Sequence, residues 1–104
     1  MNNFRFSDFT LESQTRQLSR GVDVVALGAR AFDLLELLVV NRERVIGRDE
    51  IMASVWPGVV VGENNLNVQV ANLRRVLGPH AIVTVAGRGL RFALDVAPDP
   101  PPLA

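Results

Sequence analysis

The feature that most restricts this chain is a double change in the spacing of its apolar residues. Before Gly28 they alternate with polar ones, from Ala31 to Leu77 they recur at helical spacing, and after Gly78-Pro79 short alternating runs return. Alternation is the mark of a half-buried strand, and a three-to-four spacing that of an amphipathic helix. Phe4, Phe6, Phe9, Leu11 and Leu18, then the turn Arg20-Gly21 and the run Val22 to Leu27, predict three or four short antiparallel strands.

Ala31, Phe32, Leu34, Leu35, Leu38 and Val39 predict a helix over 30–41, closed by Asn41-Arg42 with a cation where the helix dipole favours one. A second helix begins at Gly47-Arg48-Asp49-Glu50, with Gly as N-cap and acids in its first turn, and stops at Pro57-Gly58. A third runs from about Asn64 to Leu77 and is ended by Gly78-Pro79. Two strands follow, 82–85 and 90–96, joined through Ala86-Gly87-Arg88-Gly89. This order predicts an α+β fold, a winged helix-turn-helix with an N-terminal antiparallel sheet, three helices and a C-terminal β-hairpin wing. The expected domain is 1–96, and the proline-rich 97–104 reads as a linker or tail.

Composition removes several kinds of chemistry. With no Cys and one His in 104 residues, thiolate sites, disulfides and His-based metal clusters drop out. His80 sits in a turn, and Asp49-Glu50 need only a dipole role. The sequence therefore predicts no catalytic residues, no metal and no cofactor. No stretch has the length of a signal peptide or membrane span, so a cytoplasmic setting is expected for this segment.

Charge is the awkward number. Eleven Arg, with no Lys, balance eleven Asp plus Glu, which argues against the simplest nucleic-acid binder. The balance is uneven along the chain, however. Residues 42–92 hold seven Arg and four acids, net +3, and the remainder four Arg and seven acids, net −3. From Asn64 to Phe92 there are four Arg and no acid.

The third helix carries the clearest functional pattern. Leu66, Val70, Leu73 and Leu77 share one stripe, which must be core. Asn64, Asn65, Val68, Ala71, Asn72 and Arg75 gather opposite, flanked by Gln69 and Arg74. Asn and Gln can pair with the major-groove edge of adenine and Arg with guanine, while Val suits a thymine methyl. The plain alternative is a solvated face with Asn64 as N-cap, but exposed helix faces favour better helix formers than Asn. In the hairpin, Arg88 between two glycines suits a minor groove or a phosphate. The alternative is a turn shaped by Gly and kept soluble by Arg. Arg91 could equally serve an internal ion pair.

The chain resembles the OmpR/PhoB-type winged-helix DNA-binding domain from about Phe4 to Val96. The resemblance rests on Ala31-Phe32-Asp33-Leu34-Leu35, Arg48-Asp49-Glu50-Ile51-Met52 with Val55-Trp56, Val68-Gln69-Val70 with Leu73 to Leu77, and Thr84 to Phe92. It implies a third helix in the major groove and a wing at the minor groove of double-stranded DNA. It implies base contacts from Val68 and Asn72, and base or backbone contacts from Asn64, Asn65, Gln69 and Arg74. It further implies phosphate contacts from Trp56 and Thr84, an RNA polymerase contact through the 57–62 loop, and paired copies on DNA. Ala86, Leu90 and Asn72 depart from the family pattern, so the operator cannot be copied from a relative. With the domain beginning at Met1, the expected subgroup is the ToxR/CadC-like regulators, whose full-length forms include membrane-anchored ones. The expected function is sequence-specific DNA binding by a bacterial transcription regulator, through Asn64, Asn65, Val68, Gln69, Asn72, Arg74, Arg75, Trp56, Thr84, Arg88 and Arg91. The alternative is a winged-helix protein-interaction module with little DNA affinity.

Overall fold

The computed structural model describes residues 3–58 and 61–98. Four short strands form an antiparallel meander: β1 (Asn3–Phe6), β2 (Phe9–Glu12), β3 (Gln17–Arg20) and β4 (Asp23–Val25). The register pairs Phe4 with Leu11, Leu11 with Leu18 and Phe6 with Phe9, so these apolar side chains gather on one face of the sheet. Three helices follow: α1 (Ala29–Val40), α2 (Arg48–Val55) and α3 (Glu63–Leu77). They begin and end within about one residue of the periodicity, the usual uncertainty of a fraying terminus. The wing is the hairpin of β5 (Ile82–Val85) and β6 (Gly89–Phe92).

Two expectations need correction. The apolar run 22–27 contributes only the three-residue edge strand β4, and Val22 and Val24 are exposed. The last strand does not reach Val96. It ends at Phe92, and Ala93 N–H donates to the Ala81 carbonyl at 2.8 Å, closing the base of the wing. The chain then crosses back, and Ala97–Pro98 form β7 against Phe4 and Arg5 of β1. The first two residues assigned to the tail therefore pair, giving a five-stranded sheet of order β4-β3-β2-β1-β7. A proline is acceptable there because an edge strand leaves one side of its backbone unpaired. Residues 99–104 of the expected tail lie outside the described residues.

The core joins all of these layers. Phe6 of β1 stacks on Phe9 and meets Phe92 of the wing edge-on, with centroids 5.1 Å apart at 76°. Leu34, Leu35, Leu38 and Val39 of α1, Ile51 of α2, and Leu66 and Leu73 of α3 are fully buried. α1 is thus the central post. It touches α2, α3 and the wing strand β6, which holds the recognition elements at fixed angles.

Arginine ties hold the outer seams. Arg16 pairs with Asp33 at 2.7 Å, donates to the Ala29 carbonyl and lies over the Phe32 ring. Arg30 donates to the Val55 carbonyl at 2.7 Å and so fixes the end of α2 to the start of α1. The fork of five donors on a guanidinium suits such carbonyl sites better than a Lys ammonium would.

Candidate nucleic-acid interface

α3 presents the face that its sequence pattern predicts. Leu66, Val70 and Leu73 are buried, while Asn64, Asn65, Val68, Ala71 and Arg75 are exposed, and Gln69 and Asn72 are half-buried. Gly62 is the N-cap, so Asn64 lies inside the helix and the capping alternative for it fails. Gly78 at φ +106° ends the helix, in a conformation that a side chain would strain. Arg75 donates from Nη2 to Oδ1 of Asn72, one turn earlier on the same face.

Between α3 and the wing lies an open cleft of about 550 Å³. Arg48, Asn67, Ala71, Arg74, Arg75 and Thr84 stand around it over a floor of Leu66, Val70 and Leu90. Arg48, from the first turn of α2, donates to Asn67 Oδ1 at 3.5 Å. A second cleft of about 450 Å³ adjoins it between the start of α2 and the wing tip. Gly47, Arg48, Asp49, Thr84 and Arg88 line that one. Thr84 borders both clefts. The ring of Arg side chains fits an anionic backbone, and Asp49, lining the second cleft, is the one acid among these lining residues.

The wing is fastened at two places. Leu90 exchanges backbone hydrogen bonds with Ile46, in the connector between α1 and α2, at 2.8 and 3.0 Å. Gly89 makes this approach feasible, since a Cβ there would lie 2.0 Å from the Ile46 carbonyl oxygen. The second fastening is Arg74. Its Nε and Nη2 both donate to the Ile82 carbonyl, at 3.1 and 2.9 Å, and Nη2 also donates to Thr84 Oγ1 at 3.1 Å. The tip between them is tightened by Arg88 N–H to the Val85 carbonyl, with Gly87 at φ +73°.

The structure sorts the expected site residues into groups. Of the expected residues on α3, Arg74 and Arg75 line the first cleft with Thr84, and Thr84 and Arg88 line the second; Asn64, Asn65 and Val68 are exposed outside both linings, and Gln69 and Asn72 are half-buried. Arg91 pairs across the hairpin with Val83, and both are exposed, on the face opposite buried Leu90 and Phe92. It is therefore turned away from the side where Thr84 sits. Trp56 is packed in the core at 7% exposure. Any contact it makes with a phosphate is confined to that fraction. Sequence reading overlooked Arg48 and Asn67 as lining residues. The signal was present for Asn67, a third polar amide between Asn65 and Gln69. In the 57–62 loop, residues 59 and 60 lie outside the described residues.

Comparison with known proteins agrees with this fold. Residues 22–92 match the family described as transcriptional regulatory protein, C terminal. The chain belongs to this family. Its members are DNA-binding domains of transcription regulators rather than enzymes, and the winged helix expected from the sequence is theirs. The chain is 40% identical over 90 residues to the response regulator MprA of Mycobacterium tuberculosis, covering 82% of this chain and 39% of that protein. It therefore spans about two fifths of the length of such relatives. The DNA-binding domain of Escherichia coli CadC has the same fold, with a TM-score of 0.82, 24% identity, and coverage of 95% of this chain and 98% of that one. The Klebsiella pneumoniae RstA DNA-binding domain, solved in complex with RstA box, gives a TM-score of 0.75 at 27% identity, covering 89% and 98%. Among the described residues, no helix is long and apolar enough to cross a membrane.

Proposed function

We propose that this winged-helix domain reads double-stranded DNA by laying the outer side of α3 in the major groove, with the wing tip at the adjacent minor groove. The observation that carries the proposal is the exposure of Asn64, Asn65, Val68 and Arg75 on α3 beside two adjoining clefts, one lined by Arg48, Arg74, Arg75 and Thr84 and the other by Arg48, Thr84 and Arg88. Amide and guanidinium donors there reach base edges, Val68 offers an apolar contact for a thymine methyl, and Arg48, Thr84 and Arg88 grip phosphates. Arg91 contributes only charge from the outer face of the wing. Because the whole chain is neutral, non-specific affinity is weak, and tight binding comes from paired copies on adjacent half-sites. The loop 57–62 is the surface offered to RNA polymerase.

The reading is tested by in vitro selection of genomic fragments. The wild-type domain enriches discrete sites, and an Arg75→Ala, Arg88→Ala double variant loses that enrichment while keeping its circular dichroism spectrum. Equal recovery of random and genomic fragments by the wild-type domain favours a protein-interaction module instead.

A further inference from the structure

The way Arg74 is held separates it from the other cations of the interface. Among the described residues β5 pairs only with β6, and no strand of theirs lies beside its other edge, which faces α3. On that edge the Ile82 carbonyl points at α3, where two N–H groups of Arg74 take it, and a further Nη2 bond reaches Thr84 Oγ1. Ile82 itself is fully buried, and Arg74 is half-buried. A guanidinium that makes three hydrogen bonds within the domain is held in one rotamer. Its charge is partly spent on a carbonyl dipole rather than offered to solvent. Thr84 is affected in turn. Its oxygen accepts from Arg74, so its own hydroxyl proton is directed elsewhere, and Thr84 borders both clefts. The residue is then set to donate to an acceptor outside the domain, such as a phosphate oxygen.

Resting on the reading of α3 and the wing as a DNA interface, we infer that Arg74 is a positioning residue. It fixes β5 and the Thr84 hydroxyl at a set distance from the recognition helix, and DNA affinity depends on that geometry rather than on its charge. A fork is needed, because a Lys ammonium keeps the charge but cannot hold Ile82 O and Thr84 Oγ1 together in one plane.

The test uses wild type, Arg74→Lys, Arg74→Ala, Thr84→Val and the Arg74→Lys, Thr84→Val double variant on a duplex recovered by selection, with affinity measured across a range of salt concentrations below the unfolding temperature of every variant. Positioning predicts that Arg74→Lys loses about tenfold or more in affinity at unchanged salt slope. It also predicts that Thr84→Val costs much less in an Arg74→Lys background than in wild type, since the hydroxyl is then already misplaced. Full affinity of Arg74→Lys, with Arg74→Ala lowering the salt slope by about one, would overturn the inference and make Arg74 a phosphate contact. Wild-type affinity in all Arg74 variants would also overturn it. In either case the DNA-binding reading stands, whereas absence of any duplex binding by the wild-type domain removes both.

Discussion

Replacing Gly89 by Ala tests how the wing is seated. A Cβ at this position would lie 2.0 Å from the Ile46 carbonyl oxygen, 2.7 Å from its carbon and 2.9 Å from the Gly47 Cα. All three are backbone atoms, so no side-chain rotation relieves the clash. Reaching even a tight contact of about 3 Å requires β6 and the α1–α2 connector to part by about 1 Å. That stretches the Ile46–Leu90 hydrogen bonds from 2.8 and 3.0 Å beyond useful length. Both residues are buried, so each lost bond costs about 1–3 kcal/mol. Gly89 also sits at φ +146°, where a side chain adds strain of about 1–3 kcal/mol.

The sum is about 3–9 kcal/mol, a large part of the roughly 5–15 kcal/mol expected for a domain of this size. Urea unfolding followed by fluorescence of the single tryptophan, Trp56, reads the change directly. Gly87→Ala is the control. Its φ of +73° is also left-handed, but a Cβ there meets nothing within 4 Å, so it costs only about 1–2 kcal/mol. If Gly89→Ala stayed within about 1 kcal/mol of wild type, the close seating of β6 on the connector would be refuted.

Other perturbations address the remaining seams. Arg30→Ala removes the 2.7 Å bond to the Val55 carbonyl and should lower stability by about 1 kcal/mol, reduced by the half-exposed setting of the pair. Leu34→Ala, in the fully buried face of α1, should cost about 2–5 kcal/mol by calorimetry. The Arg44 guanidinium, hydrogen-bonded to Glu50, holds that carboxyl below its ordinary range. A depressed folded-state value means that this pair stabilises the fold above the ordinary carboxylate range and ceases to do so as pH falls through the lowered value. Carboxyl carbon chemical shifts against pH should show Glu50 titrating below the ordinary carboxylate range, and Arg44→Gln should move it back up. Arg88→Ala should reduce the salt slope of DNA binding by about one, and Arg75→Ala should relax base preference, both with unchanged unfolding midpoints.

Most of the architecture was legible because burial acts through periodicity. The α3 stripe of Leu66, Val70 and Leu73, and the alternation of Phe4, Phe6, Phe9 and Leu11, follow from single rules of helix and strand geometry. What escaped depends on contacts distant in sequence. No local pattern brings Ala97–Pro98 back to β1, since that pairing exists only once the sheet edge does. Gly87 and Gly89 look alike in the sequence, yet one shapes a turn in open space and the other admits a backbone. The arginines show the same limit. Arg16, Arg30, Arg42 and Arg74 each donate to a backbone carbonyl, so counting cations overstates what the domain offers a phosphate. Val22 and Val24 mislead in the opposite sense: apolar and β-prone, they lie exposed, one in the turn before the edge strand β4 and the other within it.

Titration of the isotope-labelled domain with a selected duplex, followed by amide chemical shifts, tests the central claim most directly. Binding through α3 and the wing predicts that the largest shifts fall on residues 64–75 and 84–88, with the outer sheet surface of Arg5, Thr10 and Ser19 little changed. Shifts centred on that sheet, or none at saturating duplex, would contradict it.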